Sequence, residues 1–296
     1  PKRGLNIMRK EIILPGIAVA GGIGGFFLRR WVLVSAFEPG TGLPIPGAPA
    51  AWALLCLSAG VLLALLLLAR GTHRTFSGGY RQAFAAKGNT VCLGTTLLAA
   101  LLSAVAGPLL VINAASALSA QLLTLYGRSR IQILLGMLPQ FLLALLCLAT
   151  CVGTAVSGWN RHRGKAPERY SLSPLLPAYL MCLWLISAYQ KWAIDPVHLN
   201  YIYELFAIIA AVLAFYLMAG FSFDRPRVTL TTLFSLLAVY FSITALADPH
   251  PGPTVLLYLF VIVSLLTSTT VLLFNDHGPH MPEKEEIKPE VSQDEG

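Results

Sequence analysis

A chain of 296 residues that is 56% hydrophobic and only 12% Asp, Glu, Lys or Arg carries about half the charge of an ordinary soluble domain. That excludes a water-soluble globule, which would need a charged shell around its core. The net charge of +7 does not point to nucleic acid: the basic residues sit in short clusters between apolar blocks, where membrane topology signals sit, and never interleave with aromatics along a groove-sized surface.

The chain opens on Lys2, Arg3, Arg9 and Lys10, followed by an apolar run over 12–28. A secretory signal cut at Val34-Ser35-Ala36 would leave Arg29 and Arg30 between the apolar region and the cut, so the run reads as an uncleaved first span. Its glycines fail the dinucleotide pattern, because Phe27 stands where the third glycine is needed. Gly16, Ala20 and Gly24 recur every four residues and make one smooth helix face, and Gly21 with Gly25 makes another. Such faces allow close helix approach in lipid. The 29–50 loop, rich in Pro and Gly, excludes a regular helix and reads as a compact ordered turn or lid.

A second span follows over 51–69. In the 70–90 loop, Phe76, Tyr80 and Phe84 recur every four residues among Arg74, Arg81 and Lys87. The spacing predicts either a short helix on the inner leaflet, its basic residues meeting anionic lipid, or a plain loop with interfacial aromatics. The third span, 91–112, continues as a softer stretch to Leu125 through Asn113 and Gln121, either one long tilted helix or a span plus a surface helix. Further spans are expected over 131–153, 175–193, 201–222, 228–247 and 254–274, each near the ~20 residues that cross a ~30 Å hydrocarbon layer. Cys56, Cys92, Cys147, Cys151 and Cys182 all lie in apolar blocks, which argues against a disulfide framework.

The connection between the fifth and sixth spans, SAYQKWAIDPVHLNYIYELF, concentrates ionisable groups: Lys191, Asp195, His198 and Glu204, with Tyr201 among them. Asp195 before Pro196 reads as an N-cap and first-turn proline, so the sixth helix is expected to start there. Glu204 then lies inside the apolar region, with Lys191 as its expected partner. A lone carboxylate at that depth is costly unless neutral, hydrated or paired. Two readings follow: an outward-facing pocket for a small ion, proton or polar solute, or a salt-bridged hairpin in an aromatic belt. Asp224 and Asp248 each lead into a proline in the same way, which favours capping. Asp248 with His250, and Asp276 with His277 and His280, are too few and fall on opposite sides, so no metal site is expected. The last two spans carry many Ser and Thr residues, suited to packing or to lining a solute path. No nucleophile elbow, zinc-protease or phosphate-loop motif occurs, so no cofactor is expected and the reading leans away from an enzyme.

Counting basic residues on alternate sides orients the chain. Of the 21 Lys and Arg residues, sixteen fall in the two tails, the 70–90 and 154–174 loops and the turn after the sixth span. Only Arg29, Arg30, Arg128, Arg130 and Lys191 fall on the other side. The expected architecture is an all-α bundle of about eight transmembrane helices with both termini cytoplasmic: one domain over 1–275 and an acidic, disordered tail over 276–296.

The segments RRWVLVSAFEPGTGLPIPGAP and DPVHLNYIYELFAIIAAVLAFYLMAGFSFDRPR resemble parts of multi-pass membrane proteins from anaerobic Gram-positive bacteria, a group with no assigned activity. The resemblance implies a bacterial cytoplasmic membrane and brings no functional residues. The expected function is transport-like binding of a small solute or ion through Lys191, Asp195, His198, Tyr201 and Glu204. The alternative is a membrane anchor or regulatory subunit that associates with a partner protein.

Overall fold

The computed structural model describes residues 10–70, 76, 79–123, 130–164, 172–193, 195, 197–223 and 225–277. Lys2, Arg3, Arg9, Arg74, Arg128, Pro196, Asp224, His280 and the acidic tail beyond residue 277 lie outside the described residues. Within them the chain is all-α: α1 Lys10–Ser35, α2 Pro49–Ala69, α3 Gly79–Ala83, α4 Thr90–Leu123, α5 Arg130–Arg163, α6 Leu176–Trp192, α7 Ile202–Gly220, α8 Val228–Ala245 and α9 Gly252–His277. All except α3 and α6 are long and apolar enough to cross a membrane, which makes seven candidate spans among the described residues. The protein is an integral, multi-pass membrane protein in contact with lipid. α6 has 17 residues and is preceded by a 3₁₀ turn over Ser173–Leu175.

The third span is one continuous helix: α4 runs 34 residues through Pro108, a length of ~51 Å at 1.5 Å per residue. Proline is tolerated there because neighbouring helices in a membrane bundle re-satisfy the freed carbonyl. α4 packs along α5, of equal length, and both lean on the rest of the bundle through α9 and α6.

α8 is the central helix. Of its 18-residue span 72% is buried, against 22% for α2 at the periphery. Its buried face is rich in hydroxyls, including Thr231, Thr232, Ser235, Ser242 and Thr244. Thr231 and Thr244 donate to carbonyls four residues back in the chain, at 2.9 Å each, so they enter the core without an orphaned donor. α1 lies close against α8 because three of its glycines present no Cβ. A Cβ on Gly22 would stand 2.9 Å from Ile243 Cβ, one on Gly21 2.8 Å from a Val61 methyl of α2, and one on Gly25 would overlap the Thr244 hydroxyl. Gly16 meets nothing within 4 Å, and Gly24 only Leu57 at 3.5 Å; Gly16 and Ala20 are exposed. Outside the bundle, large apolar side chains such as Phe27, Leu63, Leu101, Leu145 and Val152 are exposed, as lipid requires.

The two ends of the bundle differ. At one end lies α3. The turn after it joins α5, where the Gly88 N–H donates to His162 O (3.1 Å), and Asn275 of α9 donates to Ala83 O (2.8 Å). Phe76, Tyr80 and Phe84 do line one side, but that side faces the protein. All three are buried, and Phe84 packs on Phe221 at the end of α7 with ring centroids 5.3 Å apart. The aromatic spacing therefore serves the bundle rather than the bilayer, and the helix it makes is only five residues long.

At the other end the 36–48 segment forms a small hairpin. Phe37 and Pro44 make an antiparallel bridge, and Glu38 N–H donates to Leu43 O at 2.9 Å. Gly40 and Gly42 take φ of +105° and +66°, the left-handed values that such a reversal needs. α5 ends at the α3 end, and α7 begins at the hairpin end, so α6 connects the two.

A buried polar cluster as candidate functional site

Arg29 stands six residues before the end of α1 and is fully buried. Its Nε donates to Asp248 Oδ1 at 2.8 Å and its Nη2 to the Asn200 carbonyl at 3.0 Å. The guanidinium also lies over the Tyr203 ring, 5.5 Å from its centroid. Asp248 sits in the short connection after α8, and Asn200 in the 3₁₀ turn before α7. One arginine thus ties three elements together at the hairpin end. Arg29 and Asp248 form an ion pair inside the bundle.

Around that pair the polar atoms are not all satisfied. Arg29 Nη1, Asp248 Oδ2, His250 Nδ1 and the Tyr258 hydroxyl are buried and have no hydrogen-bond partner. His250 bonds the Ala245 carbonyl through Nε2 at 2.8 Å, and its ring packs on Tyr258, centroids 5.1 Å apart. Trp184 closes the other side of Tyr258 at 5.0 Å. Native interiors leave few buried polar groups unpaired, and clusters of them mark ordered water, ions or ligands.

Glu204 joins the same cluster. Its side chain is 3% exposed, and Oε2 accepts from Trp192 Nε1 at 2.9 Å. Glu204 and Asp248 both lie within electrostatic reach of Tyr258, and Glu204 of Asp248. Asp248 thus pairs with Arg29, and Glu204 adds a second carboxyl group within electrostatic reach of Asp248. Burial pushes the Asp248 carboxyl up from its usual range, against the opposing pull of Arg29 and His250. Such a carboxyl takes up a proton more readily than an exposed one.

Below the cluster, Ser58 of α2 bonds the Tyr240 hydroxyl at 2.7 Å and the Tyr203 hydroxyl at 3.4 Å, linking α2, α7 and α8.

The five residues singled out in the 190–204 segment divide between two places. Glu204 is buried beside the Arg29–Asp248 cluster, bonded to Trp192. Asp195, His198 and Tyr201 form a turn above it. Asp195 accepts from Val197 N–H (2.8 Å) and from Asn200 Nδ2 (3.0 Å), which with the nearby His198 holds its carboxyl below the usual range. His198 Nδ1 and the Tyr201 hydroxyl are 2.5 Å apart. Asp195 caps this turn rather than α7, which starts at Ile202. Lys191 is exposed and sits over the Trp192 ring at 4.2 Å, so the indole, not the ammonium, meets Glu204. The turn still touches the cluster through Asn200 on Arg29, and through Trp192, which stacks on Tyr201 at 5.4 Å.

Arg29 escapes a reading by local clustering, because it stands 219 residues from Asp248 in the chain; Asp248, His250 and Tyr258 lie near one another, but without Arg29 they read only as capping and packing residues. Their one available signal is scarcity. Few basic groups fall at the hairpin end of the bundle, and each buried acid there needs a partner. Among the described residues no group of three or more His, Cys, Asp or Glu is placed to hold a metal ion. The chain matches no protein-family model, no curated protein and no solved structure.

Proposed function

We propose that this is a transport-like protein of the bacterial cytoplasmic membrane that binds a small polar solute, ion or proton at the cluster around Arg29, Asp248 and Glu204. Lys191, Asp195, His198 and Tyr201 form the outer rim of that cluster. In this reading α6 and its preceding 3₁₀ turn supply an eighth pass, and both termini face the cytoplasm. The supporting observation is the group of four unpartnered buried polar atoms on Arg29, Asp248, His250 and Tyr258. A purely structural ion pair has no need of donors and acceptors converging without partners, since each costs about 1–3 kcal/mol.

The test is reconstitution into liposomes loaded with a pH-sensitive dye, under an imposed potential. Proton entry is followed alone and with Na⁺, K⁺ or amino acids outside. Glu204→Gln and Asp248→Asn should each reduce a flux seen with the unaltered protein. Variants that melt earlier but carry the same flux would make the cluster structural.

An anchoring or regulatory role is the second reading. It is favoured by the exposed Gly16 and Ala20 on α1, where Gly16 has open space for a neighbouring helix. Co-purification of a stoichiometric partner in mild detergent supports it; a monodisperse lone chain counts against it.

A further inference from the structure

A cavity lies at the opposite end of the bundle, where α3, α4, α5, α7 and α9 converge. It has a volume of about 40 Å³, several times the ~10–15 Å³ that one water needs. Tyr80, Thr154, Ser157, Ser264 and Ser268 bring hydroxyl-bearing side chains to its wall, together with Arg161, and apolar groups, Phe215 and Met218 among them, cover the rest. Thr154, Ser157 and Arg161 share one face of α5 by their i, i+3, i+7 spacing, and Ser264 and Ser268 share one of α9.

Arg161 differs from Arg29 in lacking a carboxylate. Its Nη2 donates to the Tyr80 hydroxyl, and its Nη1 reaches Ser268 Oγ only at 3.5 Å. Its Nε is buried without a partner, as is the Thr154 hydroxyl. The guanidinium is walled by the Tyr80 and Phe84 rings, 5.2 and 5.1 Å from their centroids. Among the described residues Arg161 makes no ion pair, and Arg163, Arg225 and Arg227 are further basic residues of the segments that meet at this end. A guanidinium has five N–H donors and no acceptor. Surrounded by rotatable hydroxyls, it presents donors from several directions to one small space.

We infer that this cavity is a binding site for a small oxyanion, a carboxylate or phosphate group held by Arg161 and the hydroxyls of Thr154, Ser264 and Ser268; the Ser157 hydroxyl is already engaged with Ser173 at 3.0 Å. The site is separate from the outer cluster and does not depend on what that cluster carries. The oxyanion is either a free solute or the phosphate of a lipid headgroup. A fork of guanidinium donors matches two oxygens of either, whereas a spherical halide would use one direction at a time.

Full-length protein in phosphatidylcholine nanodiscs tests this by thermal unfolding in sodium phosphate, acetate or chloride at equal ionic strength. Phosphate or acetate should raise the midpoint above that in chloride. Ser264→Ala with Ser268→Ala should weaken the apparent affinity about tenfold while leaving the charge in place. Arg161→Gln should abolish the shift. If Arg161→Gln does not fold, the serine pair carries the test. In phosphatidylglycerol discs, a raised midpoint that free phosphate no longer increases, and that the serine pair lowers, identifies the headgroup as the source. No oxyanion shift in either lipid, or the same shift in the serine pair, overturns the inference.

Discussion

Arg29 and Asp248 stand 219 residues apart in the chain and meet at 2.8 Å with the arginine wholly buried and the aspartate 9% exposed. Removing one partner strands the other charge in a low-dielectric interior, which costs about 3–5 kcal/mol; replacing both with apolar groups removes the desolvation penalty too. Arg29→Met and Asp248→Leu should therefore each lower the unfolding midpoint sharply, and the double variant should recover most of the loss. Thermal melts in a single detergent read this directly. A double variant no more stable than either single one would show that the pair contributes attraction rather than mutual neutralisation.

Glu204 is held by an indole, and that sets a different expectation from a salt bridge. Trp192→Phe leaves a buried carboxylate oxygen without its donor and should cost about 1–3 kcal/mol. Glu204→Gln keeps an oxygen for the Trp192 N–H and should be milder. Lys191→Met touches only the exposed face of the Trp192 ring and should stay within about 0.5 kcal/mol of the parent protein. Chemical denaturation of the three variants ranks them; a Lys191 variant as damaged as the Trp192 one would restore the lysine as partner.

The helices were legible because lipid imposes a length. The apolar blocks at 51–69, 175–193 and 228–247 fall within two residues of the ends of α2, α6 and α8. α4 was ambiguous because Asn113 and the neighbouring small polar residues lower the apolar signal without breaking the helix; backbone bonding continues where hydropathy fades. The site was legible only where it was local. Glu204 stood out as an acid in an apolar helix, while Arg29 and Arg161 looked like topology flanks beside Arg30 and Arg163. A basic residue at a span end carries the same sequence signature whether it turns to the headgroups or into the bundle. Only packing separates the two, as it does for Phe76, Tyr80 and Phe84.

The glycines of α1 predict a steep positional contrast. At Gly25 an added methyl would overlap Thr244, and at Gly22 it would meet Ile243 at 2.9 Å, on the buried central helix. Overpacking of this kind costs about 1–3 kcal/mol. At Gly16 the space is open, and alanine gains up to about 1 kcal/mol of helix propensity. Gly25→Ala and Gly22→Ala should melt earlier than the parent, and Gly16→Ala at the same temperature or later. If Gly16→Ala proved the most damaging, its face would be covered by a partner rather than by lipid.

The turn above the cluster carries its own pH response. Asp195 accepts from Asn200 and Val197, and these bonds favour the charged form and hold its carboxyl below the usual value. A carboxyl lowered by folding stabilises the turn fully above the unfolded value of ~3.9, and that stabilisation is lost as pH falls through the folded value. The turn should therefore keep its full stabilisation from pH 8 to 5, start to loosen only below the unfolded value of ~3.9, and open once pH has fallen through the lower folded value, freeing Asn200, whose carbonyl holds Arg29. Hydrogen exchange of the 195–201 peptide, corrected for intrinsic rates, reads the opening. Asp195→Asn retains an oxygen for the Val197 N–H but has no charge to lose, so its protection should be flat over the same range. Equal acid sensitivity in that variant would assign the transition to another group, with Glu204 and Asp248 the nearest described acids beneath the turn.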